Sequence, residues 1–293
     1  MKIINYSVEG EVDYGFLVNR REFVPRYFVE EVLREKIPRD IKKLLPDIEL
    51  RELINASLDS VNLEKVSVAS VHVEPPIKDS RKIVCIALNY ADHVNEAGLK
   101  TPEELVFFLK PPTALTGPFD PIVKPKNVEK LDYEGELAVI ISERIKSVDP
   151  SEAMLYVFGY SVFNDVTARD MQFRDGLWSG WMMSKCFDTF APMGPWIVGR
   201  EEIEDPHNLR IITRVNKEVR QNSNTSNMIF KIPEIISRIS QIMTLEPGDI
   251  ISTGTPAGVG YWRENGLLKE GDIVEVWIEK IGAIRNQVIS AKE

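Results

Sequence analysis

Cysteine and histidine are nearly missing from this chain, with two of the first and three of the second in 293 residues. Cys85 and Cys186 are too few for a disulfide framework and match no zinc-ligand spacing. Flanked by apolar and aromatic residues, both read as small buried hydrophobes. Runs of basic residues are also lacking, and the formal net charge is -9. Nucleic acid is therefore an unsuitable partner, because its binding needs clustered Lys and Arg. No apolar stretch has the length to span a bilayer, and the opening Met1-Lys2-Ile3-Ile4-Asn5-Tyr6 lacks a signal-peptide core. A cytoplasmic protein with no membrane partner is the expectation. A phosphate loop is missing too. Gly254-Thr255-Pro256-Ala257-Gly258-Val259-Gly260 has the glycines, but Pro256 and the following Tyr261-Trp262 fit neither nucleotide pattern.

What remains is 43% hydrophobic and 28% charged, the profile of a globular chain with a substantial core. The polar, proline-bearing stretch Val73-Glu74-Pro75-Pro76-Ile77-Lys78-Asp79-Ser80 marks the best boundary. It divides a small N-terminal α/β domain, residues 1–75, from a catalytic domain, residues 76–293. Residues 2–6 and 14–18 read as strands. Residues 27–45 have helical spacing through Phe28, Val32 and Leu33, interrupted by Pro38. Residues 82–88 and 137–141 read as buried strands, and 102–109 as a helix with solvent-facing glutamates. Pro233 suits the first turn of a helix over 232–243, with Ile235, Ile236, Ile239, Ile242 and Met243 as one apolar stripe facing the core. Glu246-Pro247-Gly248-Asp249 and Lys269-Glu270-Gly271-Asp272 are turns, each leading into a β-branched run. Strands dominate the second part, so the fold class is α+β.

Three segments carry candidate chemistry. In Asp132-Tyr133-Glu134-Gly135-Glu136-Leu137, residues two apart on an extended strand share a face, so Glu134 and Glu136 project together. Side-by-side carboxylates suit either a solvated edge or a bound cation. Asp165 lies where an apolar strand runs into the polar turn Asn164-Asp165-Val166-Thr167. A third carboxylate from a neighbouring strand would complete an all-oxygen site for a hard cation such as Mg²⁺. His93 and Glu96, three apart, share one helical face. They suit an acid–base dyad or an ordinary surface pair.

These segments, in order with Phe108-Leu109-Lys110-Pro111-Pro112-Thr113-Ala114, Ser184-Lys185-Cys186-Phe187-Asp188-Thr189 and Thr253-Gly254-Thr255-Pro256-Ala257-Gly258-Val259, resemble the fumarylacetoacetate hydrolase family over roughly residues 80–290. The resemblance implies a rolled, mixed β-structure with flanking helices, assembled as a homodimer or homotetramer. It implies Mg²⁺ or Mn²⁺ held by Glu134, Glu136 and Asp165. It places Arg169, Gln172 and Thr255 against the substrate and Lys185 beside developing negative charge. Ala87 stands where many relatives carry glycine.

The implied substrate is a small 2-oxo acid whose C3 proton is removed to give an enolate. Within the family the chain is most similar to dehydratases of 2-keto-3-deoxy sugar acids. The expected reaction is thus loss of water from 2-keto-3-deoxy-D-arabinonate, leading to 2-oxoglutarate semialdehyde. Carbon–carbon hydrolysis of an acylpyruvate is the alternative within enzymes, and decarboxylation of an oxaloacetate-type acid a further one. A non-catalytic oxo-acid-binding protein is the alternative outside them, and the presence of all three carboxylates and Lys185 argues against it. Arg174-Asp175-Gly176-Leu177-Trp178-Ser179-Gly180 would contact extra hydroxyls or form a plain surface loop.

Overall fold

The computed structural model describes residues 1–60, 63–173 and 179–292. Arg174 to Trp178, most of the segment considered for hydroxyl contacts, lies outside the described residues. Among the described residues no helix is long and apolar enough to cross a membrane.

A long mixed sheet organises the chain. Its central strands, Ala191–Gly199, Val157–Asn164, Gly135–Ile141, Ile250–Ser252 and Ile83–Ala87, lie side by side in that order, and Val106–Lys110 closes one edge. These inner strands are near-continuous apolar runs because both faces are covered. The N-terminal strands Lys2–Val8, Glu11–Leu17 and Glu22–Pro25 continue the same sheet, since Lys2–Val8 pairs antiparallel with Ala191–Gly199. A five-stranded sheet, in the order Glu218–Asn224, Arg210–Val215, Ile273–Ile278, Gly282–Ser290 and Ile122–Lys124, lies against the first. Gly135 shows how close that approach is. A Cβ there would come within 2.3 Å of Thr213 Oγ1 and 2.9 Å of a Val276 methyl. The small face expected between Glu134 and Glu136 is the face the second sheet packs on.

Most expected elements are found. Ile83–Ala87, Gly135–Ile141 and Ile273–Ile278 are strands, and the helix Ile232–Ile242 starts with proline in its first turn. Its buried stripe is Ile232, Ile235, Ile236 and Ile239, whereas Ile242 is exposed. Met243, half-buried, still packs on the core, so of the expected stripe Ile242 alone points to solvent. The 27–45 region divides around Pro38 into Arg26–Leu33 and Ile41–Leu44, with Val29 rather than Val32 buried. The helix read over 102–109 is a strand instead, Val106–Lys110, antiparallel to Ile83–Ala87. The β-branched and aromatic run Val106-Phe107-Phe108-Leu109 favours cross-strand pairing. Glu103 and Glu104 are solvent-facing, as expected.

Candidate functional site

Strand register brings the carboxylates together. Gly135 pairs with Asn164, so the start of one strand meets the end of the next. The Asp165 N–H donates to the Glu134 carbonyl at 2.8 Å, and the Glu134 N–H donates to Asn164 Oδ1 at 3.0 Å. Glu134, Glu136 and Asp165 are all buried, and one oxygen of each lies within 4.8 Å of the others. A single cation with oxygen bonds of about 2.0–2.6 Å closes such a gap with small side-chain adjustment.

Buried carboxylates need partners, and the cations here are unevenly shared. Lys185 donates to Glu134 Oε2 at 2.6 Å and to Asp165 Oδ2 at 2.8 Å. Arg169 donates to Glu134 Oε1 at 2.6 Å, to Asp132 Oδ2 at 2.8 Å and to the Gln172 side-chain oxygen at 2.7 Å. Lys110, fully buried, donates to Asp165 Oδ1 at 2.5 Å and to the Val166 carbonyl at 3.1 Å. Among the described residues no Lys or Arg reaches ion-pair distance of Glu136. Its Oε2 accepts instead from Ser252 Oγ at 2.5 Å and from the Gly254 N–H at 2.9 Å.

The titration behaviour follows this sharing. Burial alone would raise Glu134, but the Lys185 and Arg169 charges overcome it and hold the carboxyl at about 2. Burial also raises Glu136, and the charges of Asp165 and Glu134 add to it, so its carboxyl lies well above the usual range. Lys185 is raised because Asp165 and Glu134 outweigh the penalty of its own burial. A divalent cation at the triad supplies the positive charge that Glu136 lacks, so these residues fit the expected Mg²⁺ or Mn²⁺.

His93 sits on the short helix Ala91–Glu96 and lines the cavity above the triad. Its Nδ1 stands 3.5 Å from Glu96 Oε2, at the limit of a hydrogen bond. Glu96 does not line the cavity; it accepts from the Gly258 N–H at 3.0 Å. Burial raises this carboxyl, but the His93 and Gly258 contacts outweigh it and the net shift is downward. Glu96 thus ties the helix to the Gly258 loop as well as facing His93. Gly258 itself has φ of 104°, and a Cβ there would meet the Arg220 carbonyl at 2.1 Å. Thr255 lines the cavity, its hydroxyl shared between the Gly135 carbonyl at 3.0 Å and the Gln221 amide at 2.8 Å.

All nine residues singled out in the sequence therefore gather here, eight around a cavity of about 400 Å³ and Glu96 behind His93. Four supporting residues had not been singled out: Lys110, Asp132, Ser252 and Gln221. A lone Lys closing the apolar run Val106-Phe107-Phe108-Leu109 was a signal, since lysine is almost never fully buried unless paired. Gln221 and Ser252 carry no such signal, because only pairing across the sheet brings them to the site. Cys85 is buried as expected, while Cys186 is only partly so.

Comparison with known proteins agrees with this geometry. The family model described as fumarylacetoacetate (FAA) hydrolase C-terminal matches residues 82–289. An uncharacterised protein of Archaeoglobus fulgidus is 49% identical over 225 residues, 77% of this chain and 85% of that protein. A mitochondrial oxaloacetate tautomerase of Bos taurus is 46% identical over 216 residues, 73% of this chain and 68% of that one. The crystal structure of maleylpyruvate hydrolase from Sphingobium sp. SYK-6, in complex with manganese(II) and pyruvate, superposes with a TM-score of 0.81. It is 31% identical and covers 100% of both chains.

Proposed function

The chain belongs to the fumarylacetoacetate hydrolase family, and from that premise we propose that it is a divalent-metal enzyme that enolises a small 2-oxo acid. Keto–enol tautomerisation is the reaction the site supports most directly. The observation carrying this reading is the Lys185 ammonium, buried and bonded to two of the three convergent carboxylates. Relatives named for tautomerisation and for hydrolysis of 2-oxo acids support it.

Glu134, Glu136 and Asp165 would hold a cation, which would supply Lewis-acid polarisation of a 2-oxo carboxylate and so acidify C3. The chain supplies the rest. His93 lines the cavity and is suited to take a C3 proton, with Glu96 facing the imidazole. Contacts of this kind are commonly long before substrate binds. Lys185 offers a fixed positive charge where the enolate develops, and it needs no reorganisation because two carboxylates already hold it. Arg169, immobilised by Asp132, Glu134 and Gln172, orients the acid. Tautomerisation is complete when the C2 oxygen of the enolate takes a proton, from the Lys185 ammonium or solvent, and in the reverse direction when the enol oxygen gives up its proton and C3 regains one.

Dehydration of a 2-keto-3-deoxy sugar acid starts from the same enolate but also needs an acid at the C4 hydroxyl. Acylpyruvate hydrolysis also needs a water activated against a distal carbonyl. Of the described cavity residues able to donate a proton, His93, Lys185 and Tyr261, His93 is the one already engaged at C3. Tautomerisation asks least of it. The test is to incubate the protein with Mg²⁺ or Mn²⁺ in D₂O with oxaloacetate, an acylpyruvate and 2-keto-3-deoxy-D-arabinonate, following C3 deuteration and product mass. Deuteration without a change of carbon skeleton is expected. Efficient cleavage or water loss would reassign the reaction while leaving the metal site in place.

The proposal includes assembly as a homodimer or homotetramer, with residues 1–75 as a small domain beside the catalytic one. Val106, exposed on the edge strand, is suited to an interface. Light scattering giving the mass of one chain at micromolar concentration would refute the assembly.

A further inference from the structure

The polar residues of the cavity sit around the carboxylates, and what lies beyond them is apolar. Leu99, Phe173 and Trp262 line the cavity yet remain 52%, 55% and 46% exposed. Large apolar side chains grouped at the rim of a cavity mark a surface that something else covers. Two aromatic groups are already arranged there. Phe173 and Tyr261 lie 5.0 Å apart at 36°, Tyr261 and Trp262 4.8 Å apart edge-on, and Phe108 and Trp181 6.5 Å apart, stacked.

This rim is fixed in place from below. Asp132 accepts from the Gly260 N–H at 2.7 Å and the Tyr261 N–H at 3.0 Å, and the same carboxylate holds Arg169. The Arg169 guanidinium lies 6.0 Å from the centre of the Tyr261 ring. One buried carboxylate thus sets the distance between a cationic group of the floor and the aromatic wall.

We propose that the outer half of the cavity is a subsite for a flat apolar substituent, so the 2-oxo acid bound is of the arylpyruvate type, with an aromatic ring on C3. This rests on the enolisation reading above and names its substrate class. A ring placed there removes apolar surface from water and meets the wall in the offset or edge-on contacts that aromatic pairs favour. A second carboxylate there would lose hydration without gaining a cation from the described residues. Arg169, Lys185 and Lys110 are each committed to floor carboxylates, and the described rim residues include no Lys or Arg. Sugar hydroxyls fare little better. Among the described lining residues around the rings, the groups left for them are the Tyr261 hydroxyl, the two indole N–H groups and the Gln172 amide.

The experiment compares phenylpyruvate with oxaloacetate as substrates of the Mn²⁺-loaded protein, reading C3 exchange with solvent. Wild type and the variants Trp262→Ala and Phe173→Ala are measured, each checked for mass by light scattering. We expect wild type to favour phenylpyruvate in kcat/KM. In each variant the phenylpyruvate KM should rise about 10- to 100-fold, as loss of a buried ring contact implies, with the oxaloacetate KM unchanged. Exchange of oxaloacetate with no preference for phenylpyruvate overturns the aryl subsite alone. So does a phenylpyruvate KM that neither variant moves, or a variant that changes assembly and not KM, which would assign the rings to an interface between copies. Exchange of neither acid overturns the enolisation reading itself.

Discussion

The floor and the rim of the cavity are built on opposite principles. On the floor, charged groups are buried and each is tied: Glu134 to Lys185 and Arg169, Asp165 to Lys185 and Lys110, Asp132 to Arg169 and two backbone N–H groups. At the rim, large apolar groups stay half in water. A floor so constrained resists substitution because removing one charge strands its partner. A rim whose backbone Asp132 holds, but whose side chains meet through ring contacts, tolerates side-chain change. The contrast assigns the reaction to the floor and the choice of substrate to the rim.

The largest expected effects break the floor. Glu136→Gln keeps shape but removes a ligand charge, so metal affinity by calorimetry and C3 exchange should fall together, with activity down about 10³-fold or more. Full activity in that variant would remove Glu136 from the metal. Lys185→Met should cost about 10²–10³ in kcat, the usual loss for one fixed charge-stabilising group. Substrate binding should change far less than turnover.

Next come residues behind the floor. Glu96→Gln should lower turnover about 10²-fold with metal binding intact, the low end for a positioned acid–base group, because the amide oxygen can still accept from Gly258. An unchanged rate would reduce Glu96 to a loop tie. Gln221→Leu strands the buried Gly135 N–H and frees the Thr255 hydroxyl. Stability in urea should fall by about 1–3 kcal/mol, and the KM should rise if Thr255 touches substrate. An unmoved melting curve would show that water replaces the amide.

The smallest effect concerns pH. The Glu96 carboxyl is held below its usual value in the folded chain. Its ionised form therefore contributes stability that is fully present above the unfolded value of about 4.3 and is lost as pH falls through the folded one. The difference in melting temperature between wild type and Glu96→Gln should be constant from neutral pH down to about pH 5 and shrink below it. A difference that grows on acidification would reverse the assigned sign.

Much of the floor was legible in the sequence, but unevenly. Glu134 and Glu136 were readable because alternation along a strand is a local property, and Asp165 because a polar turn after an apolar strand is another. Ordered motif segments pointed to Lys185, Arg169, Gln172 and Thr255 through family resemblance. Lys110, Asp132, Ser252 and Gln221 were not singled out, since their roles come from partners tens of residues away. The helix read over 102–109 gives way to the strand Val106–Lys110 because its partner, Ile83–Ala87, is distant in the sequence.

Local chemistry in the sequence determined the carboxylate-bearing strand start, the proline-led helix Ile232–Ile242 and the turns at Gly248 and Gly271. Each depends on backbone preference and side-chain spacing over a few residues. Tertiary structure alone decided that Gly135 faces Asn164 across two strands, that three cations share the floor while Glu136 has none, and that aromatic rings gather above it. The reason is physical. Register, ion pairing and exposure are relations between distant segments, and their energies exist only once the chain has brought those segments together.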